Sequence, residues 1–311
     1  MSSSPPQGAS LPQPRKLSQT KLLGRLGLCW LAMAWLVTET KSYWNNRPDL
    51  QFGWIVLVLS AYLVWEAWLT RPVVRLQWRW TALLMAGTGL GFMFLFQIYR
   101  MAFGTTPAAL YFLAAGVMLM VCANLHYAFG TEGVRRFAFA FGFILVALPL
   151  PSVIYFPVVT GLQAKVAAIN VGLLNIAGIP AQQIGSLIRL PNGTVGVDEA
   201  CSGIRSLQAT VMATLFVGYL TLNRGLLQVV LLGAGALLAI VGNIIRSLFL
   251  TLVANSRGIS AVNSFHDTAG WSVLAFTAIG IILISYGLAR LEKMATAPEP
   301  ALPDKEIKAA S

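Results

Sequence analysis

GLLQVVLLGAGALLAIVGNIIRSLFLTLVA, residues 225–254, decides the fold class. The stretch is apolar over more than the roughly 20 residues that cross a hydrocarbon layer, and its one charge is Arg246. A charge inside a membrane helix is costly, so it lines a cavity, pairs with another group, or serves a site. The stretch therefore announces both a membrane-spanning helix and a place to look for function.

The rest of the chain agrees. It has 311 residues, 57% of them hydrophobic and 11% charged, with a mean hydropathy of +0.70, whereas soluble domains carry about 25% charged residues. Apolar windows predict eight spans, at about 24–39, 50–69, 80–99, 107–129, 136–159, 202–222, 225–254 and 267–290. The expected fold is an all-α polytopic membrane protein, one integral membrane domain over 23–292, with no separate soluble domain. Residues 1–22, rich in Pro, Ser and Gln, and the polar residues 293–311 read as disordered cytoplasmic tails. The apolar run after the first tail reads as a retained helix rather than a signal peptide.

The formal charge of +11 does not point to nucleic acid, because no soluble basic face carries it. It is explained by topology, since short cytoplasmic loops retain Lys and Arg. With an even number of spans and both ends inside, 14 of the 22 basic residues fall on the cytoplasmic side of the inner membrane. Residues 160–200 then form the one long extracytoplasmic segment. Its start, GLQAKVAAINVGLLNIAGIP, has apolar residues at helical spacing and is stopped by Gly178-Ile179-Pro180. Pro191-Asn192-Gly193-Thr194 is a turn signal, so a small helix and a β-hairpin ending at Asp198 are expected between spans five and six. Gly87, Gly89 and Gly91 lie mid-span with no preceding strand, and read as helix-packing residues rather than a dinucleotide loop.

The hairpin delivers the chain to VDEACSGIRS, residues 197–206. Cys201 opens span six, with Arg205 one turn deeper and facing inward. Span seven brings Arg246 towards the same face, and His266 stands at the first turn of span eight. A thiol becomes a nucleophile as the thiolate, favoured by a helix N-terminus and a nearby cation. Histidine moves protons near neutral pH, and arginine stabilises an oxyanion. Arg205 has two readings, a scaffold charge paired with Asp198 or Glu199, or a second catalytic cation. Cys29 and Cys122 read as packing residues, and His126, Glu66 and Asn124 as interfacial or interhelical polar groups. Single Cys and His ligands make no metal site, and no cofactor motif is present.

In these residues the chain resembles the exosortase and archaeosortase family of membrane-embedded cysteine transpeptidases. Three separated motifs carry the resemblance: Ala200-Cys201-Ser202-Gly203-Ile204-Arg205-Ser206-Leu207, Asn243-Ile244-Ile245-Arg246, and Phe265-His266-Asp267 with Gly270 following. It implies Cys201 as nucleophile, Arg246 as stabilising cation and His266 as proton-transfer residue. Arg205, Asn243, Glu199, Ser202 and Gly203 support them, with Asn243 orienting Arg246. It implies as substrates secreted proteins whose C-terminal sorting signal joins a short Pro-Glu-Pro-like motif, a transmembrane helix and a basic tail. It also implies a role in exopolysaccharide-linked or surface-protein sorting, among membrane lipids, with water or an amine or lipid-linked acceptor resolving a thioester. The chain's own Pro298-Glu299-Pro300 follows the last span, where a substrate's motif would precede a helix. The competing readings are a transporter or flippase for an anionic or lipid-linked substrate, a membrane acyltransferase, and a secretion scaffold. The first would show related halves or midplane polar groups, and neither is read here.

Overall fold

A computed structural model of the chain describes residues 27–74, 79–196 and 204–296. The expected tail 1–22 and most of 293–311 lie outside these residues. The helices are α1 (Gly27–Asn46), α2 (Gly53–Leu69), α3 (Trp80–Phe103), α4 (Pro107–Gly142), α5 (Ser152–Ile176), α6 (Ile204–Thr221), α7 (Gly225–Arg257) and α8 (Ile259–Thr296). Strands β1 (Gln182–Ile184), β2 (Leu187–Leu190) and β3 (Gly193–Gly196) lie between α5 and α6. Among the described residues six stretches are long and apolar enough to cross a membrane: Pro48–Leu69, Trp80–Phe103, Pro107–Ala147, Ser152–Ile176, Gly225–Arg257 and Ile259–Ala295. The expected first and sixth spans fall on α1 and α6, whose apolar character is diluted by Thr38, Glu39, Thr40 and Lys41, and by Arg205, Gln208 and Thr210. The chain divides into two compact units, residues 1–152 and 153–311.

In the first unit α4 packs against α1, α2 and α3. Pro107 stands in its first turn and Thr106 caps it, accepting from the Ala109 N–H at 3.2 Å. Two helical limbs are joined at Gly130, whose φ of 75° is open to glycine at little cost. The chain turns back there. Thr105 O accepts from the Tyr43 hydroxyl at 2.6 Å and Ala147 O from Trp44 Nε1 at 2.9 Å, so both ends of a 41-residue stretch meet neighbouring residues of α1. A straight helix of that length would run about 60 Å. Limbs 107–129 and 131–147 thus lie side by side. The second limb differs from the expected 136–159, because Leu148-Pro149-Leu150-Pro151 ends it. Each proline lacks an N–H and biases its predecessor towards extended backbone. Gly89 and Gly116 bring α3 and α4 together, since a Cβ on either would lie 2.9 or 2.7 Å from the other's carbonyl oxygen.

In the second unit α6, α7 and α8 pack on one another. Gly235 of α7 receives Thr210 and Thr214 of α6, and Gly218 of α6 receives Leu231 and Gln228. This antiparallel register brings Ile204, the first described residue of α6, level with Asn243. Gly242 of α7 packs on Val273 and Phe276, and Gly280 of α8 on Leu238. At one end of this pair the buried Glu292 accepts from the backbone N–H groups of Asn223 and Arg224 at 3.0 and 2.7 Å, satisfying donors at the start of α7.

The strands form an antiparallel sheet of order β1-β2-β3, β2 and β3 being joined through Pro191-Asn192, and Asp198, the expected end of the hairpin, lies outside the described residues. Ile188 and Leu190 of β2 are buried with Val166, Ala167 and Leu174 of α5, and Ile244 and Leu248 of α7 pack against that cluster. Asn192 Nδ2 donates to Asn255 O at 2.9 Å, and Gly193 faces Ile259, so the turn sits on the α7–α8 junction. The small helix expected after residue 160 is the second half of α5, which starts at Ser152 once the prolines release the backbone.

Candidate active site

Arg246 and His266 meet across α7 and α8. Arg246 Nη2 lies 3.0 Å from His266 Nε2 and 3.4 Å from His266 O. A guanidinium only donates, so Nε2 accepts, and a neutral imidazole then carries its proton on Nδ1. His266 Nδ1 is 3.2 Å from Asp267 Oδ1, which accepts that proton's hydrogen bond. The imidazole is held between a donor on one nitrogen and an acceptor on the other, a pattern that fixes tautomer and ring orientation. Asp267 belongs to the third motif, yet sequence reading gave it no role; its signal was a carboxylate adjoining the histidine. Gly270, one turn further along α8, lies under the guanidinium: a Cβ there would be 3.5 Å from Arg246 Nη2 and 3.8 Å from Cζ.

The level of this pair follows from composition. In α7 residues 225–245 carry no Asp, Glu, Lys or Arg, and the same holds for residues 268–289 of α8. At about 1.5 Å per residue these segments are roughly 31 and 33 Å long, matching a hydrocarbon layer and each other. Arg246 follows the first at once and His266-Asp267 precede the second, so the pair stands at one edge of two matched apolar segments. Arg224, Arg290, Glu292 and Lys293 mark the other edge. Beyond Arg246, α7 continues to Arg257 and α8 begins at Ile259, so residues 255–265, expected as a loop, are helical apart from Gly258. His266 is consequently in the third turn of its helix rather than the first. Phe265 holds this extension together, 6.0 Å from the Phe249 ring and 5.4 Å from the Arg257 guanidinium.

Asn243 is buried one turn before Arg246 on the stripe that includes Ser247 and Leu250. Ile244 and Leu248 point to the sheet side of α7. Arg205, expected to face inward, is exposed in the first turn of α6. Residues 197–203, and with them Cys201, Glu199, Ser202 and Gly203, lie outside the described residues. Among the described residues no group of three His, Cys, Asp or Glu side chains is arranged to hold a metal.

Apolar helices in number, with an arginine and a histidine paired at the edge of the charge-free segments of two of them, define a multi-pass membrane protein. The family model for transmembrane exosortases matches residues 44–283, 240 of the 311 positions, and the chain belongs to that family. Exosortases are membrane cysteine transpeptidases that sort proteins. No curated protein and no solved structure matches the chain.

Proposed function

We propose that this exosortase cleaves C-terminal sorting signals of secreted proteins at the outer face of the cytoplasmic membrane, through a thioester on Cys201. The observation that carries this is the Arg246–His266 hydrogen bond at the edge of matched apolar segments. Orientation rests on charge. Arg71, Arg79, Arg135 and Arg136 gather at the Gly130 end of the first unit, and Arg224, Arg290 and Lys293 at the Glu292 end of the second. Basic ends belong inside, which puts Arg246 and His266 outside. On this reading α5 and the sheet form the extracytoplasmic insertion, although α5 is long enough to span. It follows the less basic end of the first unit, where Arg47 and Arg100 are paired with Asp49 and Glu39, and leads within a few residues to strands that sit on the α7–α8 junction. The crossings then number eight: α1, α2, α3, the two limbs of α4, α6, α7 and α8.

Cys201 lies three residues before Ile204, hence within about 11 Å of it along the chain, and Ile204 is level with Asn243. On this reading the tether is long enough for the thiol to reach the Arg246–His266 pair. In the resting arrangement the guanidinium occupies Nε2. When a substrate carbonyl arrives, Arg246 turns to its oxygen and frees Nε2 to take the Cys201 proton. The thiolate attacks the carbonyl carbon, and Arg246 holds the oxyanion. The C–N bond breaks, His266 returns the proton to the leaving amine, and the acyl group stays on sulfur. Water or an acceptor nucleophile then attacks the thioester and gives its proton to His266; the C–S bond breaks, and His266 passes the proton to the departing thiolate, restoring the thiol. The substrate's transmembrane helix and basic tail lie parallel to α6–α8, and the Pro-Glu-Pro-like motif reaches the outer edge. The sites supporting Cys201 are Glu199, Ser202, Gly203 and Arg205, with Asn243 steadying Arg246.

The test uses membranes containing the full chain and a reporter ending in such a signal. Cys201→Ala is expected to leave the reporter full-length while the enzyme remains folded, and wild-type enzyme is expected to yield an acyl-enzyme on Cys201, detected by mass spectrometry. Processing of the reporter by Cys201→Ala at the wild-type rate would remove the thiol from the mechanism.

A further inference from the structure

Asn170 is fully buried on α5, and neither its Nδ2 nor its Oδ1 has a hydrogen-bond partner among the described residues. Its neighbours on the buried stripe of α5 are Val166 and Ala167 one turn before and Leu174 one turn after. These three pack with Ile188 and Leu190 of β2, and Ile244 and Leu248 of α7 lie against the same cluster. The amide is therefore enclosed in the layer between α5, the sheet and α7, at the level of α7 that also carries Arg246.

A buried amide without partners is paid for in stability, because its donors and acceptors left water and gained nothing. Surrounded by Val, Ala, Leu and Ile, the position would suit an aliphatic side chain better. Nearby, Asn175 shows what an amide on α5 does when it serves the fold, bonding both the N–H and the C=O of Ala181 at 2.9 and 3.1 Å. That pair also shows the chemistry an Asn side chain matches best, a peptide main chain offering one donor and one acceptor together.

We infer that Asn170 is a substrate-binding residue, whose amide pairs with the main chain of the sorting signal's extended motif when α5 parts from β2 to admit it. The inference rests on the proposed sorting-signal activity. In the closed chain the unpaired amide weakens the α5–sheet packing; in the opened, loaded chain it is satisfied. The difference favours opening only when peptide is there to bind, which is the condition for a ligand to shift an equilibrium. Side-chain specificity then comes from other groups, since main-chain pairing reads extended conformation rather than sequence.

The experiment compares wild type, Asn170→Leu, Asn170→Ala and Cys201→Ala, each as the full chain in detergent micelles, with a purified reporter carrying a Pro-Glu-Pro motif, a transmembrane helix and a basic tail. Asn170→Leu is expected to unfold at the same or a higher temperature than wild type, with KM raised at least tenfold and kcat within threefold. Asn170→Ala is expected to raise KM similarly. Wild-type KM in both variants would overturn the inference while leaving the cysteine mechanism intact, as would failure of both to fold, since the amide would then be serving stability. Processing by Cys201→Ala would instead sink the mechanism, and the KM comparison at Asn170 would still be read independently.

Discussion

Replacing Arg246 by lysine keeps a positive charge at the site and removes the planar fork. Lysine is one bond shorter from Cα to its terminal nitrogen, and it offers a single ammonium in place of several directed N–H groups. Arg246 Nη2 serves His266 Nε2 at 3.0 Å and its carbonyl at 3.4 Å, while the guanidinium lies over Gly270. An ammonium at that point either falls short of His266 or leaves the Gly270 surface to reach it. Hydrogen bonds involving a charged partner contribute roughly 1.5–3 kcal/mol. If one such bond to the oxyanion is lost in the transition state, the rate falls by roughly 10- to 150-fold. The assay is single-turnover cleavage of the sorting-signal reporter by purified Arg246→Lys and wild-type enzyme at equal folded concentration, followed by the appearance of the shortened reporter. The loss is expected in kcat more than in KM, since the bond forms as charge develops. A wild-type rate constant with lysine in place would refute the reasoning, because charge alone would then suffice and the Arg246–His266 geometry would carry no catalytic meaning.

Two further outcomes follow from individual contacts. Asp267 is 91% exposed, so its hydrogen bond to His266 is solvated and contributes as surface pairs do. Asp267→Asn keeps an acceptor for Nδ1–H and is expected to retain at least half of wild-type activity, whereas Asp267→Ala lowers the cleavage rate by about 1.5- to 5-fold; identical rates in both variants would deny the aspartate any part in orienting His266. Gly116→Val sets a branched side chain against the Gly89 carbonyl oxygen and Met93, and backbone cannot yield as a side chain does. It is expected to destabilise the α3–α4 crossing by about 1–3 kcal/mol, read as a lower midpoint of thermal unfolding in detergent.

Much of this was legible in sequence because the signals are local and strong. Hydropathy marks 225–245 and 268–289 with no ambiguity, Pro191-Asn192 announces its turn, and Gly89 has the one use a mid-span glycine usually has. Of the three motifs, the two that carry Arg246 and His266 meet across α7 and α8, as counting residues per turn led one to expect, while the one around Cys201 lies outside the described residues. What escaped were features decided by tertiary contacts. Residues 255–265 are polar and contain Gly258, so they resemble a loop; they remain helical because Phe265 packs on Phe249 and Arg257, and the sheet turn binds Asn255 O. The span ending at residue 159 was misjudged because apolar character continues unbroken through Leu148–Pro151, and only proline stereochemistry ends the helix there. Arg205 was expected to face inward from its closeness to Cys201 in sequence, but neighbours along the first turn of a helix point in different directions, and Ile204 takes the buried one.

The extension of α7 and α8 past their charge-free segments bears on the role of α5 and the sheet. If both helices ended where their charge-free segments end, Arg246 and His266 would stand at a bare helix terminus, open to water on one side and lipid headgroups on the other. Instead about 11 residues of α7 and 7 of α8 rise beyond them, roughly 10–17 Å, and the sheet leans on that extension through Asn192, Gly193 and Val195. The sheet and α5 in turn cover the Ile244 and Leu248 side of α7, the side away from the guanidinium. Arg246 is thus backed by packed protein on one flank and left partly open on the flank it shares with His266. On the proposed mechanism a substrate that closes the open flank excludes water from the guanidinium, which is when its interaction with a developing oxyanion becomes strong.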